Sequence, residues 1–265
     1  SINTKEISRG DIFFAFKGKK TDGHNFVKDS LKKGAVAAVV EKKIRIKKSR
    51  KILKVKNVQK SLNDLSRCIR NISDAQFIAI TGSSGKTTAK NLIAYLLKNF
   101  GKVIKSPKSF NNFLGVPISI SNIKNYTNYA VLELGMSRKG EIHKLSKLTS
   151  PDIGLITNIG EAHLENFKNP KHIARAKSEL IGNIKKKGSV ILNREDKYFD
   201  FLKKCAEQKG VKVVSFGFQK GDLFIQKIVK IKNHYRIKIS VFNKKMIFKI
   251  SSIDKIFLIN LIASL

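Results

Sequence analysis

A glycine-rich turn set between an apolar run and a helical pattern constrains the fold of this chain more than any other feature. The run FIAIT at 77–81 is strand-like, and the turn GSSG at 82–85 follows it directly. The next segment, KTTAKNLIAYLL at 86–97, repeats its apolar residues with helical spacing. Backbone N–H groups of such a turn and of the helix N-terminus present partial positive charge to phosphate oxygens. The sequence therefore predicts a strand–turn–helix cradle for a nucleotide.

The residues of the turn indicate which groups contact the phosphates. Lys86 is expected to reach the β- and γ-phosphates, and the Thr87 hydroxyl is expected to ligate Mg²⁺. The usual spacing G-x-x-x-x-G-K-[ST] is altered, because Ile80 occupies the first glycine position and Gly82 stands three residues before Gly85. The strand–turn–helix setting still favours ATP binding over an ordinary glycine–serine turn. The predicted ATP-binding residues of this segment are Thr81, Gly82, Ser83, Ser84, Gly85, Lys86, Thr87 and Thr88.

Apolar periodicity divides the 265 residues into two α/β domains. Within residues 1–72, GDIFFAFKG is strand-like and VKDSLKKGAVAAVVEKK predicts a helix followed by a buried strand. In residues 73–265, helical patterns alternate with short apolar strands, which is typical of a mostly parallel sheet with crossover helices. Beyond Gly221, alternating apolar and polar residues predict an antiparallel meander. The strands predicted before the meander are 77–81, 129–134, 153–157, 189–193 and 211–216.

The charge of the chain raises nucleic acid as a possible partner. Lys and Arg number 54 against 19 Asp and Glu, and the net charge is +35. The basic residues are mostly lysines spread along the whole chain, without the interleaved arginines and aromatic residues typical of a nucleic-acid groove. This pattern favours a solvated lysine-rich surface over a nucleic-acid-binding surface.

Further features of the sequence bear on compartment and completeness. No apolar run reaches the roughly 18 residues of a membrane-spanning helix. The cysteines, Cys68 and Cys205, lie far apart, and the N-terminus has no signal-peptide pattern, which favours a reducing cytoplasm. The chain has no initiator Met and ends in IFLINLIASL, an apolar helical pattern without a stop signal, so we expect it to be part of a longer protein.

Five motifs carry a family resemblance. TGSSGKTT, SFNNFLGVPISI, VLELGMSRKGEI, PDIGLITNIGEAHLENF and ARAKSEL occur in this order, and together they resemble the Mur ligase family. The N-terminal GDIFFAFKGKKTDGHNF resembles the UDP-substrate domain of that family. The resemblance covers nearly the whole chain. One departure is NTKEIS, which stands where the family usually has Asp-Ser-Arg and leaves Lys5 in the place of the arginine.

The stretches NNFLGVP and GEIHKL are similar to the branch of the family that joins D-alanyl-D-alanine to UDP-N-acetylmuramoyl-tripeptide. The resemblance implies that a carboxylate of the tripeptide attacks the γ-phosphate of ATP and that the amine of D-alanyl-D-alanine then attacks the acyl phosphate. Two anions approach in the first step, so Mg²⁺ and lysines would have to offset their charge.

The resemblance thus implies an ADP-forming ligase of peptidoglycan precursor synthesis, monomeric and cytoplasmic, with ATP and Mg²⁺ as its cofactors. Relatives carry a further C-terminal domain that binds the incoming amino component. The chain ending at Leu265 is therefore expected to bind nucleotide yet to ligate poorly or not at all by itself.

Several residues are candidates for metal binding and catalysis. Glu133 ends the apolar run of AVLELG, where a carboxylate can face the nucleotide and hold Mg²⁺. The resemblance assigns His163 in TNIGEAHL to a second Mg²⁺, and Lys177 in ARAKSEL to a lysine carbamylated by CO₂, which becomes a metal ligand. The predicted metal ligands are Thr87, Glu133, His163 and carbamylated Lys177, and the predicted catalytic residues are Lys86, Lys177 and His163.

The resemblance also supplies substrate-binding candidates. Asn111 and Asn112 would hold the muramoyl-peptide substrate near the γ-phosphate, and His24 lies in the DGH stretch of the UDP-substrate motif. Asn260 matches an asparagine that contacts adenine, although the Gly and His usual upstream are absent from IDKIFLIN. The remaining histidines, His143, His172 and His234, are interpreted as structural.

Two alternative functions remain open at the level of sequence. A sister ligase that adds the third residue to the UDP-muramoyl dipeptide, or a folylpolyglutamate-type synthase, would share the phosphate cradle but use other substrate loops. A basic P-loop ATPase that binds nucleic acid would account for the charge, but not for SFNNFLGVP or for the N-terminal domain.

Overall fold

The computed structural model describes residues 1–18, 21–44, 49–160, 166–167, 169–251 and 253–265. The chain divides into two compact units, Ser1–Ile69 and Arg70–Leu265. Among the described residues, no helix has both the length and the apolar character needed to cross a bilayer.

The first unit is a small α/β structure. Its described strands form a parallel sheet in the order β1-β2-β3, and its core contains the side chains of Phe13, Val27, Ala38 and Val40. The helix α2 begins in this unit, and its last residues belong to the second. The elements are β1 Ile12–Phe14, α1 Val27–Lys32, β2 Ala37–Val40, β3 Ile52–Lys54 and α2 Val58–Ile72.

The second unit contains one sheet, in which the described strands follow the order β12-β11-β10-β9-β8-β7-β4-β6-β5. Across the sheet, the strands from the edge strand β5 as far as β10 pair in parallel. The strands β10, β11 and β12 form an antiparallel meander. The predicted mostly parallel sheet with a meander is therefore confirmed. The strands are β4 Gln76–Thr81, β5 Val103–Lys105, β6 Tyr129–Glu133, β7 Ile153–Ile156, β8 Ser189–Asn193, β9 Lys212–Gly217, β10 Leu223–Ile231, β11 His234–Val241 and β12 Lys244–Ile250.

Helices cover this sheet because its central strands are apolar and buried along most of their length. Ile80, Val131 and Leu155 of the central strands belong to the same buried cluster as Ile93 of α3 and Ile262 of α8. The helices are α3 Lys86–Leu97, α4 Gly115–Ser121, α5 Glu141–Thr149, α6 Pro170–Ser178, α7 Phe199–Lys209 and α8 Lys255–Ser264.

The strand order creates a switch point at β4. From β4 the chain passes to β5 and returns through β6 on one side, and it then continues with β7 on the other side. In parallel sheets of this kind, ligands bind beyond the carboxyl ends of the strands where the order reverses. The carboxyl ends of β4, β6 and β7 bring Thr81, Glu133 and Ile156, with the loops that follow them, to that edge.

Candidate active site

The glycine turn adopts a conformation that requires glycine. Gly82 has φ +153° and Gly85 has φ +78°, and both values lie in the region that side-chain-bearing residues rarely adopt. A Cβ atom on Gly82 would lie 1.8 Å from Thr157 Oγ1, and one on Gly85 would lie 2.5 Å from Asn260 Oδ1. Gly85 precedes α3, and no side chain caps this helix. The free N–H groups of the first helical turn are thus available to an anion.

The loop after β7 holds the turn in place. Asn158 Oδ1 accepts hydrogen bonds from the N–H groups of Ser83 and Ser84 at 3.1 and 2.9 Å. The Thr157 hydroxyl donates to the Ser84 carbonyl at 2.6 Å. The sequence motifs point to no role for Thr157 or Asn158, although both lie in the stretch LITNIG, at and just beyond the end of the strand that neighbours β4. The adjacency of β7 to β4, which gives these residues their role, is set by the tertiary structure.

Lys86 lies over the turn. Its Nζ donates to the Gly82 carbonyl at 2.8 Å and to the Ser83 carbonyl at 3.3 Å. Burial lowers the pKa of Lys86, and the negative charge of Glu133 acts against that shift. The ammonium group therefore lies beside the N–H groups at the start of α3, where phosphate oxygens would bind.

Glu133 is the centre of a hydrogen-bonded cluster and is 2% exposed. Its Oε2 accepts from the Thr87 hydroxyl at 2.8 Å, and its Oε1 accepts from the Asn111 side-chain amide at 2.9 Å. Lys90 Nζ lies 3.2 Å from Oε2. The structure thus brings together Thr87, Glu133 and Asn111, which the sequence singled out separately, and adds Lys90, which it did not.

The oxygen donors of this cluster suit a hard divalent cation. A hydroxyl and a carboxylate, from Thr87 and Glu133, are the ligand types that Mg²⁺ prefers. Within the described part of the chain, no three His, Cys, Asp or Glu side chains gather into a metal site. A Mg²⁺ ion here would therefore take other ligands as well, such as phosphate oxygens and water. His163 lies outside the described residues.

Lys177 in α6 is buried, with 2% of its surface exposed. Burial, followed by the positive charge of Lys86, lowers the pKa of Lys177 to about 7. A cavity of about 330 Å³ joins this lysine to the glycine turn and to the loop after β5. The lining includes Gly82, Lys86, Asn111, Asn112, Phe113, Gly135, Ser137, Glu141 and Lys177.

Asn111 and Asn112 have different structural partners. The Asn111 carbonyl accepts from the Gly135 N–H at 2.7 Å, which ties its loop to the end of β6. Asn112 Oδ1 accepts from the N–H groups of Leu114 and Gly115 at 3.1 and 2.9 Å, at the start of α4. Both asparagines line the cavity.

The other predicted residues of the second unit lie around the turn. Asn260 in α8 is buried against Gly85, and its Nδ2 donates to the Ile256 carbonyl at 2.7 Å. Thr81 is buried at the end of β4, and its hydroxyl has no hydrogen-bond partner within the described residues. Thr88 lies in the first turn of α3.

His24 belongs to the first unit and is buried. Its Nε2 accepts from the Glu41 N–H at 3.0 Å, so its Nδ1 carries the proton and donates to Asp22 Oδ1 at 2.6 Å. Both ring nitrogens are therefore occupied by internal bonds. A separate cavity of about 400 Å³ in this unit is lined by Asn3, Thr4, Lys5, Phe13, Phe16, Thr21 and Phe26, among others.

Comparison with known proteins assigns both parts of the chain to one family. The Mur ligase middle domain matches residues 80–265, and the Mur ligase family catalytic domain matches residues 1–84. The chain is 38% identical over 217 residues to the UDP-N-acetylmuramoyl-tripeptide–D-alanyl-D-alanine ligase of Rickettsia prowazekii. This match covers 82% of this chain and 48% of that protein. The chain thus spans about half the length of this relative.

Solved structures are similar over the whole chain. The MurF ligase of Thermotoga maritima in complex with ADP is 32% identical with a TM-score of 0.86, and the match covers 100% of this chain and 61% of that one. MurF from Acinetobacter baumannii is 29% identical with a TM-score of 0.87, and the match covers 100% of this chain and 57% of that one.

Proposed function

Because the chain belongs to the Mur ligase family, we propose that it forms the nucleotide- and muramoyl-substrate-binding part of an ATP-dependent ligase that joins D-alanyl-D-alanine to UDP-N-acetylmuramoyl-tripeptide. The observation that carries this proposal is the cluster around Glu133. Thr87 of α3 and Asn111 of the loop after β5 both bond to this one carboxylate, at 2.8 and 2.9 Å. Nucleotide and acyl-donor groups would therefore meet at this cluster, whose Asn111 lines the cavity.

The groups that line the cavity and those of the Glu133 cluster have separate tasks in this proposal. The N–H groups at the start of α3 and the Lys86 ammonium bind the phosphates of ATP. Thr87 and Glu133 hold Mg²⁺, which supplies positive charge when bound. Lys86 offsets the repulsion between the attacking carboxylate and the γ-phosphate, and Asn111 and Asn112 orient the peptide end of the substrate.

The remaining predicted residues complete the proposal. His163 contributes to a second Mg²⁺ site, and Asn260 contacts the adenine. His24 supports the UDP-substrate unit through its bonds to Asp22 and Glu41 rather than through a free ring nitrogen. Lys5 lines the cavity of that unit and takes the place of the family's arginine near the uridine end. We further propose that the protein acts as a cytoplasmic monomer.

The 265-residue chain spans about half the length of its relatives. The function is therefore tested by ligand binding, and not by ligation. Calorimetry with Mg²⁺ and ADP present is expected to show UDP-N-acetylmuramoyl-tripeptide binding at least about tenfold tighter than the UDP-muramoyl dipeptide. The reverse preference would favour the sister ligase. Absence of both nucleotide and tripeptide binding would contradict the proposal. Binding of single-stranded DNA is measured as the control for attraction by the positive charge of the chain alone.

Carbamylation of Lys177 has a pH dependence that can be measured. Only a neutral amine attacks CO₂, and a pKa of about 7 leaves about half of the Lys177 amine neutral at pH 7. A lysine with the ordinary value has roughly one neutral amine in 3,000 at that pH. With ¹³CO₂ held at fixed dissolved concentration, a ¹³C carbamate signal is expected to rise as the pH passes upward through 7.

The Lys177→Met variant is expected to lose this signal, and Lys147→Met, at an exposed lysine of α5, should retain it. A signal that persists in Lys177→Met would contradict the assignment.

The lowered pKa of Lys177 also affects the stability of the fold. Between about pH 7 and 10.5 the unfolded chain binds a proton at this lysine that the folded chain does not bind. Replacing Lys177 by Met should therefore stabilise the metal-free protein at pH 7, with a smaller gain as the pH rises toward 10.5.

A further inference from the structure

Lys90 is a buried cation to which neither the motifs nor the proposed mechanism assigns a task. Among the described lysines, Lys90 and Lys177 are the buried ones, and Lys90 is 1% exposed. An ammonium group is costly to bury unless it is paired and hydrogen-bonded. Its place in the core therefore calls for specific partners.

The helix α3 directs Lys90 toward the carboxyl end of β6. Lys86 and Lys90 are four residues apart and Thr87 and Lys90 are three apart, so all of them share one face of the helix. Further along the same helix, Ile93 and Ala94 belong to the apolar cluster. Lys90 is thus on the same helical face as the groups that would bind phosphate and metal.

The ammonium of Lys90 has two partners. Its Nζ lies 3.2 Å from Glu133 Oε2 and also donates to the Lys108 carbonyl. Lys108 has φ +41°, a left-handed conformation that is unfavourable for a residue with a side chain. This carbonyl belongs to the segment that leads into Asn111, whose amide bonds to the other oxygen of Glu133. Lys90 therefore fixes the carboxylate and the adjacent loop together.

Glu133 has a second cation within its electrostatic reach. Lys86 feels the negative charge of Glu133, yet its ammonium bonds to the Gly82 and Ser83 carbonyls and not to the carboxylate. Without Lys90, the Glu133 carboxylate would be buried with no bonded cation, and Lys86, one helical turn away, would be the nearest replacement on α3.

We propose that Lys90 is a positioning residue, the dedicated counter-ion of Glu133, which fixes the metal-facing carboxylate together with the Lys108 carbonyl and leaves Lys86 available for phosphate. This inference rests on the proposed nucleotide function and divides the work between the two lysines. Lys86 binds the ligand. Lys90 pairs with Glu133, so that Glu133 does not pair with Lys86.

The test measures ADP binding to the 265-residue chain with EDTA present, so that no metal contributes. Lys90→Met is expected to weaken ADP binding roughly tenfold, because Glu133 then attracts Lys86. The double variant Lys90→Met/Glu133→Gln should recover to within about twofold of Glu133→Gln alone, because no charge remains to capture Lys86. Lys98→Met, at an exposed lysine that caps the same helix, is the control and should leave ADP affinity unchanged.

A double variant that binds ADP as weakly as Lys90→Met, or more weakly, would overturn the assignment of Lys90. A wild-type chain that binds no ADP would instead overturn the nucleotide function, and the Lys90 role with it. Unfolding by urea gives an independent readout if Lys90→Met folds poorly. The double variant is expected to be more stable than Lys90→Met, and a double variant less stable than both single variants would contradict the pairing.

Discussion

Replacing Lys86 by methionine is expected to weaken ADP binding by about 2–3 kcal/mol, or roughly 30- to 150-fold, while the chain remains folded. The ammonium lies over the glycine turn, beside the first N–H groups of α3, and is the cation placed to meet the phosphates. Methionine retains the unbranched side chain and removes the charge. Because burial lowers the pKa of Lys86, removing the charge also relieves an unfavourable desolvation.

The free energy of unfolding of Lys86→Met should therefore change by less than about 1 kcal/mol. Calorimetry with ADP and urea denaturation measure the two quantities separately. Lys98→Met removes an exposed lysine at the far end of the same helix and should bind ADP as the wild type does. Undiminished ADP affinity in Lys86→Met would refute the assignment of this lysine to the phosphates.

Replacing Gly82 by alanine is expected to destabilise the chain by about 2–6 kcal/mol and to abolish ADP binding. The new Cβ would lie 1.8 Å from Thr157 Oγ1 and 3.0 Å from Thr157 Cβ. Thr157 cannot easily move, because its hydroxyl donates to the Ser84 carbonyl at 2.6 Å and its N–H donates to the Thr81 carbonyl of β4 at 3.0 Å. The backbone at φ +153° adds conformational strain.

Gly210→Ala is the matched control for this prediction. Gly210 also has positive φ, +66°, but nothing lies within 4 Å of an added Cβ. It caps the C-terminus of α7, so its replacement should cost about 1 kcal/mol and leave ADP binding unchanged. Urea denaturation of both variants separates the contact with Thr157 from the cost of positive φ. Equal destabilisation at the two glycines would show that the close approach of Thr157 is not the cause.

The order and type of the elements could be predicted from the sequence because they depend on neighbouring residues. Apolar runs bounded by polar breaks placed five strands, β4, β6, β7, β8 and β9, within one residue of their observed ends, whereas the three-residue strand β5 was not among those predicted. Alternation of apolar and polar residues predicted the meander. The glycine turn before α3 predicted a phosphate cradle, which stays a prediction, and the ordered motifs identified the family.

The neighbours of Glu133 could not be predicted in this way. Thr87 and Lys90 lie on α3, and Asn111 lies on the loop after β5. They meet at the carboxylate of β6 only because β6 lies next to β4, which leads into α3, and in register with it. The same holds for Asn158, which supports the glycine turn from the loop after β7 on the other side of β4.

The sequence by itself therefore determined the elements, the glycine turn and the family, since these depend on local periodicity and on short ordered motifs. Only the tertiary structure decided that, among the lysines it describes, Lys90 and Lys177 are the buried ones, and that both ring nitrogens of His24 bond internally. Burial and side-chain partners depend on the order and register of strands far apart in the chain. Long-range packing sets that order, and no local pattern encodes it.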